Sequence, residues 1–268
     1  MRVFLTAAIV AFTASSTLAS DIRNPMQDSI SWSDMQYTIL GGDFELGDAS
    51  ALMTVDAPYR AHDAATVPIV IKQIDDSARI SAAHVVVDEN PAPLAAVFQF
   101  SEAMGNLDFE LRVRVDQYSN VRVIAETEAG HHMAGRFVKA SGGCSAPATK
   151  DAELALAEMG KMKLKMFGKT AQMSTPRREA QIMIRHPNYS GLQRDQITQL
   201  FIQPHFIDYI EVWQGEELLF SMEGGISISE NPVFRFSYND NGSQFLTVKA
   251  TDTEGNSFVQ ELAKSVSG

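Results

Sequence analysis

Residues 107–115, with the sequence LDFELRVRV, alternate strictly between apolar and polar side chains. The apolar positions are Leu107, Phe109, Leu111, Val113 and Val115, and the polar positions are Asp108, Glu110, Arg112 and Arg114. Successive side chains of a strand point to opposite faces of a sheet, so this period of two predicts a half-buried strand. The stretch therefore predicts a layered β fold in which Arg112 and Arg114 lie on the polar face.

Short strand-like segments continue on both sides of this stretch, in two groups. The first group comprises residues 67–71, 81–87, 96–100, 107–115, 120–125 and 135–140, and the second comprises 180–184, 207–213, 217–222, 233–238, 245–250 and 257–262. Turn dipeptides such as Asn241-Gly242 separate the strands. This arrangement predicts an all-β protein with two immunoglobulin-like β-sandwich domains, at residues 20–141 and 176–268.

Residues 142–175, which separate the two groups, have a different composition. Positions 150–169 are rich in Ala, Leu, Glu, Lys and Met, all of which favour the α-helix. Apolar residues recur there at helical spacing, and Gly168 is a stop signal. We therefore predict a helical connector between the sandwiches, preceded by the segment Gly142-Gly143-Cys144.

The composition excludes several classes of protein. With 33 acidic and 22 basic side chains, the chain has a net charge of −11 and lacks the cationic surface that binding to nucleic acid requires. A hydrophobic fraction of 45% and a charged fraction of 21% are ordinary for a globular protein and argue against disorder. A single cysteine excludes an intramolecular disulfide and a multi-cysteine metal site.

The first 19 residues have the pattern of an export signal. Arg2 precedes an uncharged, mostly apolar run from Val3 to Ala14, and Thr17-Leu18-Ala19 fits a signal-peptidase site. The apolar run is shorter than the roughly 20 residues that a membrane span needs. We predict a signal peptide cleaved after Ala19, an oxidising compartment and no association with the membrane.

The single cysteine, Cys144, lies among small residues at positions 140–147. These neighbours give little side-chain mass to cover the sulfur, and Gly142 and Gly143 free the backbone to move. The segment therefore predicts an exposed thiol on a flexible arm. Such an arm suits a non-enzymatic carrier better than a catalyst, because a slack tether holds no fixed reaction geometry. It also permits a dimer linked through Cys144.

The chain resembles the SoxYZ family of bacterial sulfur carriers, with both subunits fused in one polypeptide. The motifs similar to SoxY are the strand 67–71, Asn90-Pro91-Ala92-Pro93-Leu94, the strand 111–115 and Gly142-Gly143-Cys144. The motifs similar to SoxZ are Arg185-His186-Pro187, Gly191-Leu192, Pro204-His205-Phe206-Ile207, Asn231-Pro232 and the segment 246–258. Fused chains of this kind resemble the SoxYZ-like carriers associated with quinoprotein dehydrogenases.

This resemblance implies a function, a site and a set of partners. It implies that Cys144 carries a sulfur-containing group as a covalent adduct and that Gly142 and Gly143 form its swinging arm. It further implies a periplasmic protein of thiosulfate oxidation that has no cofactor besides the adduct and whose SoxY-like and SoxZ-like domains pair within one chain. The implied partners are periplasmic redox enzymes, such as c-type cytochromes or a quinoprotein dehydrogenase system.

Two other interpretations remain open from the residues alone. His131, His132 and Met133 together with Cys144 are ligand types that suit copper, so the chain is alternatively a periplasmic copper-binding protein. The other alternative is a non-catalytic adaptor module in which Cys144 has no role.

Overall fold

The computed structural model describes residues 24–147, 152–168 and 176–264, so the predicted signal peptide at residues 1–19 lies outside the described residues. Strands account for 48% of the structure and helices for 8%, which confirms the predicted all-β class. Within the described ranges, no helix is long and apolar enough to cross a membrane.

The described residues form fifteen strands, two α-helices and one short 3-10 helix. The elements up to residue 147 are α1 (Ile30–Leu40), β1 (Leu46–Asp48), β2 (Met53–Asp56), β3 (Val67–Gln73), β4 (Ala82–Val87), β5 (Leu94–Phe100), the 3-10 helix (Glu102–Met104), β6 (Asp108–Val113), β7 (Ser119–Thr127) and β8 (Gly130–Val138). The later elements are α2 (Ala152–Ala157), β9 (Met162–Phe167), β10 (Arg177–Ile184), β11 (Ile207–Gln214), β12 (Glu217–Gly224), β13 (Val233–Asn239), β14 (Phe245–Asp252) and β15 (Ser257–Ala263).

The strands form two sheets that enclose one hydrophobic core. The nine-stranded sheet has the order β1-β8-β7-β4-β5-β12-β11-β14-β15, and the six-stranded sheet has the order β2-β3-β6-β13-β10-β9. Apart from the parallel pair β1 and β8, the named strand pairs are antiparallel. Most buried apolar residues of both halves belong to one core cluster, and Trp32, Val86 and Ile124 form a smaller second one.

Both sheets run without interruption from the first half of the chain into the second. In one sheet β12 pairs with β5, from Phe220 opposite Phe100 to Gly224 opposite Ala96. In the other, β13 pairs with β6. We call these two strand pairs the seam. The two predicted sandwiches are therefore joined by backbone hydrogen bonds into one continuous double-layered structure rather than packed as separate bodies.

A cluster of six phenylalanines fills the core at the seam. The first half contributes Phe98, Phe100 and Phe109, and the second contributes Phe220, Phe234 and Phe236. Phe109 is fully buried, and its ring centroid lies 5.2 Å from that of Phe220 in an edge-to-face arrangement. Edge-to-face pairs stabilise by about 0.5–1.5 kcal/mol beyond the area they bury. The cluster thus ties the folding of one half to that of the other.

The predicted helix over residues 150–169 is wrong for most of its length. Among the described residues of this stretch, only α2 is helical, and residues 162–167 form β9, which pairs with β10 from Met162 opposite Ile184 to Phe167 opposite Glu179. Met162 is buried while Lys163 and Lys165 are exposed, which is the period of a strand. The backbone hydrogen bonds offered by β10 and the burial of Met162 outweigh a helix preference of a few tenths of a kcal/mol per residue.

If the seam makes the two halves one folding unit, a cavity at its centre should destabilise both together. We expect Phe109→Ala to lower the free energy of unfolding by about 3–5 kcal/mol, as large-to-small changes in a core do. Urea unfolding followed by circular dichroism and by tryptophan fluorescence should give one shifted transition. Phe245→Ala, at a position that is 45% exposed, is the control and should change little. Two separate transitions, with one of them unshifted, would contradict the single unit.

Candidate functional site

The segment 141–147, which we call the Cys144 loop, follows β8 and folds back against the chain just beyond β6. Cys144 is fully buried, with none of its surface exposed to solvent, and Gly143 beside it is buried as well. The predicted exposed thiol on a flexible arm is therefore wrong for this structure. The small residues next to Cys144 in the sequence do not cover the sulfur themselves, but residues distant in sequence do.

Residues of the first half of the chain bind the backbone N–H groups of the Cys144 loop. The N–H of Gly142 donates to the carbonyl oxygen of Asp116 at 2.8 Å, and the N–H of Gly143 donates to that of Val115 at 3.1 Å. The N–H of Cys144 donates to Oδ1 of Asp116 at 3.1 Å. Three consecutive N–H groups of the loop are thus bound to one short segment that follows β6.

Residues of the second half of the chain bind the backbone carbonyl groups of the same loop. The buried Ser190 donates its hydroxyl to the carbonyl oxygen of Cys144. The buried Gln193 donates its side-chain amide to the carbonyl oxygen of Ala146 at 3.0 Å, and its Oε1 accepts the N–H of Ser190 at 3.2 Å. The loop is therefore bound between the two halves, next to the seam.

The two glycines predicted as a swinging arm have conformational and steric roles in this docked loop. Gly142 has φ +76°, in the left-handed region that side chains disfavour. A Cβ on Gly143 would lie 2.1 Å from the carbonyl oxygen of Ala64 and 2.7 Å from that of Val115, so only glycine fits there. In the docked state the pair provides a tight turn and a close approach of backbones, rather than freedom of motion.

Burial controls the chemistry of the thiol. Desolvation raises the pKa of Cys144 from 9.0 to about 12, with a further rise from the charge of Asp116 and an opposing effect of Arg114. Because the thiolate is the nucleophile, a rise of this size lowers the reactive fraction at neutral pH roughly thousandfold. The docked Cys144 is a protonated, protected thiol.

Arg114 joins the loop to both halves, although the strand pattern placed it on the polar face. It is 1% exposed, and it donates from Nη1 to the carbonyl oxygen of Gly143 at 3.0 Å and from Nη2 to that of Asn188 at 3.2 Å. The predicted exposure is wrong because the second half and the loop cover this end of the strand. The alternation of residues 107–115 does not indicate that distant residues will cover Arg114.

The proposed copper ligands do not come together. Neighbouring strand residues point to opposite faces, so His131 and His132 diverge. The ring of His131 packs against Phe44 in a tilted arrangement with centroids 4.4 Å apart, and Sδ of Met133 lies 3.5 Å from Nη1 of Arg122. Met133 lies about 17 Å along the strand from the end of β8, at about 3.3 Å per residue, and Cys144 comes after that end. The described residues therefore form no copper site from this set.

A second group of ligand-type atoms lies behind the Cys144 loop, at His186, His205 and Asp252. Their side-chain atoms lie within 4.8 Å of one another, and all three residues are buried. Nδ1 of His186, however, accepts the N–H of Asn188 at 3.0 Å, so the proton of the neutral ring is on Nε2, the atom that faces Asp252. A metal ligand needs an unprotonated nitrogen there. The group is a hydrogen-bonded network that supports the segment 188–193.

The members of this network differ in the protonation state that the folded protein favours. Burial lowers the pKa of His186, opposed by its hydrogen bond to Asp252. Burial would raise the pKa of Asp252, but hydrogen bonds from Asn256, His205 and His186 outweigh that effect and lower it. The folded protein therefore favours a neutral His186 beside an ionised Asp252.

Comparisons with known proteins agree with the two halves of the chain. A family model of the Sulfur oxidation protein SoxY matches residues 38–144, and one of the Sulphur oxidation protein SoxZ matches residues 169–263. No curated protein matches the chain by sequence.

Two solved structures are similar to part of the chain. One is the sulfur carrier protein SoxY from Chlorobium limicola f thiosulfatophilum, at 23% identity over 41% of this chain and 97% of that one, with a TM-score of 0.35. The other is the superoxide reductase (neelaredoxin) from Ignicoccus hospitalis, at 10% identity over 42% of this chain and 98% of that one, with a TM-score of 0.29.

The docked loop should protect Cys144 from alkylation. We expect iodoacetamide to label the native chain far more slowly than the urea-unfolded chain at the same pH, because labelling needs release of the loop and formation of the thiolate. Ser190→Ala combined with Gln193→Ala should speed native labelling about ten- to hundredfold, since each lost hydrogen bond weakens docking by about 0.5–1.5 kcal/mol. Intact-mass spectrometry measures both rates.

Ser243→Ala combined with Gln244→Ala is the matched control for this experiment. These residues have the same side chains but lie in a separate turn between β13 and β14, so labelling should stay at the wild-type rate. A native rate equal to the unfolded rate would mean that the sulfur is not covered in solution.

The histidine network predicts a loss of stability in mild acid. Because the pKa of His186 is lower in the folded chain, the unfolded chain gains a proton first as pH falls below about 6.5, and folding stability declines towards the folded pKa. Asp252 adds a second loss at lower pH, around and below its unfolded pKa of 3.8, because the unfolded carboxyl takes up a proton before the folded one does.

Urea unfolding at pH 7.5 and pH 5.5 measures the first of these losses. His186→Asn keeps an acceptor for the Asn188 N–H but does not titrate, so it should lose less stability between the two pH values than the wild type. His62→Asn, at an exposed position, should behave as the wild type. An identical pH dependence of the wild type and His186→Asn would contradict the assignment.

Proposed function

Since the chain belongs to the SoxYZ family of sulfur carriers, with SoxY and SoxZ domains in one polypeptide, we propose that it holds a sulfur-containing group covalently on Cys144 and presents it to redox enzymes. One observation carries this proposal: the SoxY match ends at residue 144, on the single cysteine of the chain. Both halves of the chain contact the loop that bears this cysteine, as expected if pairing of the domains serves the carrier residue.

The docked structure requires the carrier to alternate between two states. In the docked state the thiol is buried and protonated, which protects it between reactions. Loading requires release of the loop, because only a solvated Cys144 forms the thiolate readily. The same release is needed before Cys144 can form a disulfide with a second chain. The hydrogen bonds that hold the loop each contribute about 0.5–1.5 kcal/mol net, so binding of a partner can supply the free energy of release.

Loading from thiosulfate defines what a partner must supply. The sulfur of Cys144 forms a bond to the terminal sulfur of thiosulfate, the thiol loses one proton, and two electrons leave. In this proposal, a partner such as a c-type cytochrome takes the electrons. This division of work makes the chain a carrier and assigns the redox step to the partner.

The expected export and the acidic charge of the chain would suit such partners. Export directed by residues 1–19 would place the mature chain in the periplasm, where c-type cytochromes and quinoprotein dehydrogenases act. The net charge of −11 would guide the carrier towards basic clefts by long-range attraction, which weakens as salt is added.

Intact-mass spectrometry of the chain isolated without reductant from sulfur-oxidising cells tests the proposal. We expect a mature chain that begins at Ser20, with an added mass that is lost on reduction. Cys144→Ser, purified in the same way, is the control and should carry no added mass. Unmodified thiol alone, in cells that are oxidising thiosulfate, would refute the carrier role, and an intact residue 1 would refute export by cleavage.

A further inference from the structure

The hairpin formed by residues 189–205 carries three large apolar side chains in water at its tip. Ile197 is 92% exposed, Leu200 is 70% exposed and Phe201 is 55% exposed. We call these three side chains the apolar tip. Each presents roughly 150–200 Å² when fully exposed, so together they offer roughly 400 Å² of apolar surface. Single exposed apolar residues are ordinary, but a group of this size is often a binding surface.

Interactions within the hairpin hold the apolar tip in a defined shape. Arg194 and Phe201 form an antiparallel bridge, and the guanidinium carbon of Arg194 lies 4.3 Å from the centroid of the Phe201 ring. Asp195 accepts the N–H of Thr198 at 2.6 Å on Oδ1, and its own N–H donates to the carbonyl oxygen of Leu200 at 2.9 Å. A turn that is already ordered loses little conformational entropy when a partner binds it.

The base of the same hairpin binds the Cys144 loop. The carbonyl oxygen of Gln193 accepts the N–H of Ile202 at 2.9 Å across the hairpin, and the side-chain amide of Gln193 donates to the carbonyl oxygen of Ala146. Consecutive Cα atoms are about 3.8 Å apart, so Ile197 lies within about 15 Å of Gln193. A protein that covers the apolar tip therefore lies beside hydrogen bonds that hold the Cys144 loop.

The area of the apolar tip favours a transient partner over a permanent one. Two copies of the chain joined tip to tip would bury roughly 800 Å² in total, which is below the roughly 1,200 Å² of a stable specific interface. Short-lived complexes of redox proteins fall in this low range. A carrier that passes between enzymes needs contacts of this kind, because each enzyme must also let it go.

The charge distribution agrees with a partner that is basic around an apolar pocket. Arg194 and Asp195 are the charged residues of the segment 194–201 and cancel each other, whereas the whole chain has a net charge of −11. The acidic chain attracts a basic partner over a distance, and the neutral tip adds an apolar contact once the two proteins meet.

We propose that the apolar tip docks into an apolar pocket, surrounded by basic residues, on the redox enzymes that act on Cys144. The inference rests on the proposed carrier role and adds the surface by which those enzymes recognise the chain. The tip anchors an enzyme on the second half of the chain, next to the docked loop that the first half supplies.

The rate at which Cys144 is loaded in cells measures docking at the tip. The tip variant combines Ile197→Ser, Leu200→Ser and Phe201→Ser and replaces the wild-type chain in sulfur-oxidising cells. The cells are starved of thiosulfate and then supplied with it, and intact-mass spectrometry follows the reducible added mass over time. We expect loading at least tenfold slower than in the wild type, because truncation of the anchoring side chains of an interface weakens a complex by that factor or more.

Two further variants identify the apolar contact as the cause. Phe201→Leu keeps an apolar side chain and should retain more of the loading rate than Phe201→Ser. The matched control combines Ile30→Ser, Tyr37→Ser and Val259→Ser, at positions of α1 and β15 that are 83%, 66% and 59% exposed. It removes a similar apolar area from other surfaces and should load as fast as the wild type.

The purified tip variant separates docking from protection of the loop. Iodoacetamide should label its native Cys144 as slowly as in the wild type, because the three exposed side chains are not the groups that bind the loop. Slow loading together with fast labelling would assign the effect to a disturbed loop and overturn the docking surface. If the triple variant does not fold, Ile197→Ser alone, at the most exposed of the three positions, decides.

The remaining outcomes distinguish failure of this inference from failure of the carrier role. Equal loading of the wild type and the tip variant would overturn the docking surface and leave the carrier role intact. A wild-type chain that gains no added mass would refute the carrier role and this inference with it. A wild-type dimer in sedimentation velocity that the tip variant does not form would show that the tip joins two copies, and would overturn its assignment to an enzyme.

Discussion

The pairing of β5 with β12 and of β6 with β13 is the constraint on which the rest of the structure depends. These strand pairs fix the register between the halves. Separating the halves would expose the phenylalanine cluster around Phe109, which is a large apolar surface. The Cys144 loop is bound by groups from both halves, so its docking site exists only while the seam is formed. Fusion in one chain keeps the halves together at any concentration.

Burial of Cys144 would meet two opposing demands on the thiol of the proposed carrier. A solvated thiol in an oxidising compartment is open to oxidation, whereas a carrier must become nucleophilic on contact with its partner. Docking meets the first demand by desolvation, which raises the pKa of Cys144 to about 12. In the proposed carrier role, release of the loop would meet the second, because backbone and side-chain hydrogen bonds hold the loop. The close fit of Gly143 against Ala64 makes the docked state specific.

Local sequence patterns predicted strands well and their surroundings poorly. The alternation at 107–115 correctly indicated a strand with Phe109 and Leu111 buried. It also placed Arg114 on the polar face, where the second half covers it. Residues 162–167 favour a helix by residue type but form strand β9, because the edge of β10 provides partners for their backbone hydrogen bonds. Small residues around Cys144 suggested exposure, yet Cys144 is buried in a loop whose carbonyl groups are bound by Ser190 and Gln193, which are distant in sequence.

The sequence by itself determined the all-β class, the two-part organisation and the single cysteine, since these follow from side-chain periodicity, turn residues and composition. Only the tertiary structure decided that the two parts share both sheets, that Cys144 is buried and that Arg114 is buried against the loop that bears it. The reason is physical: a local pattern reports which face of a segment prefers water. Whether water reaches that face depends on segments that are distant in the chain, and the local pattern and propensity carry no information about those segments.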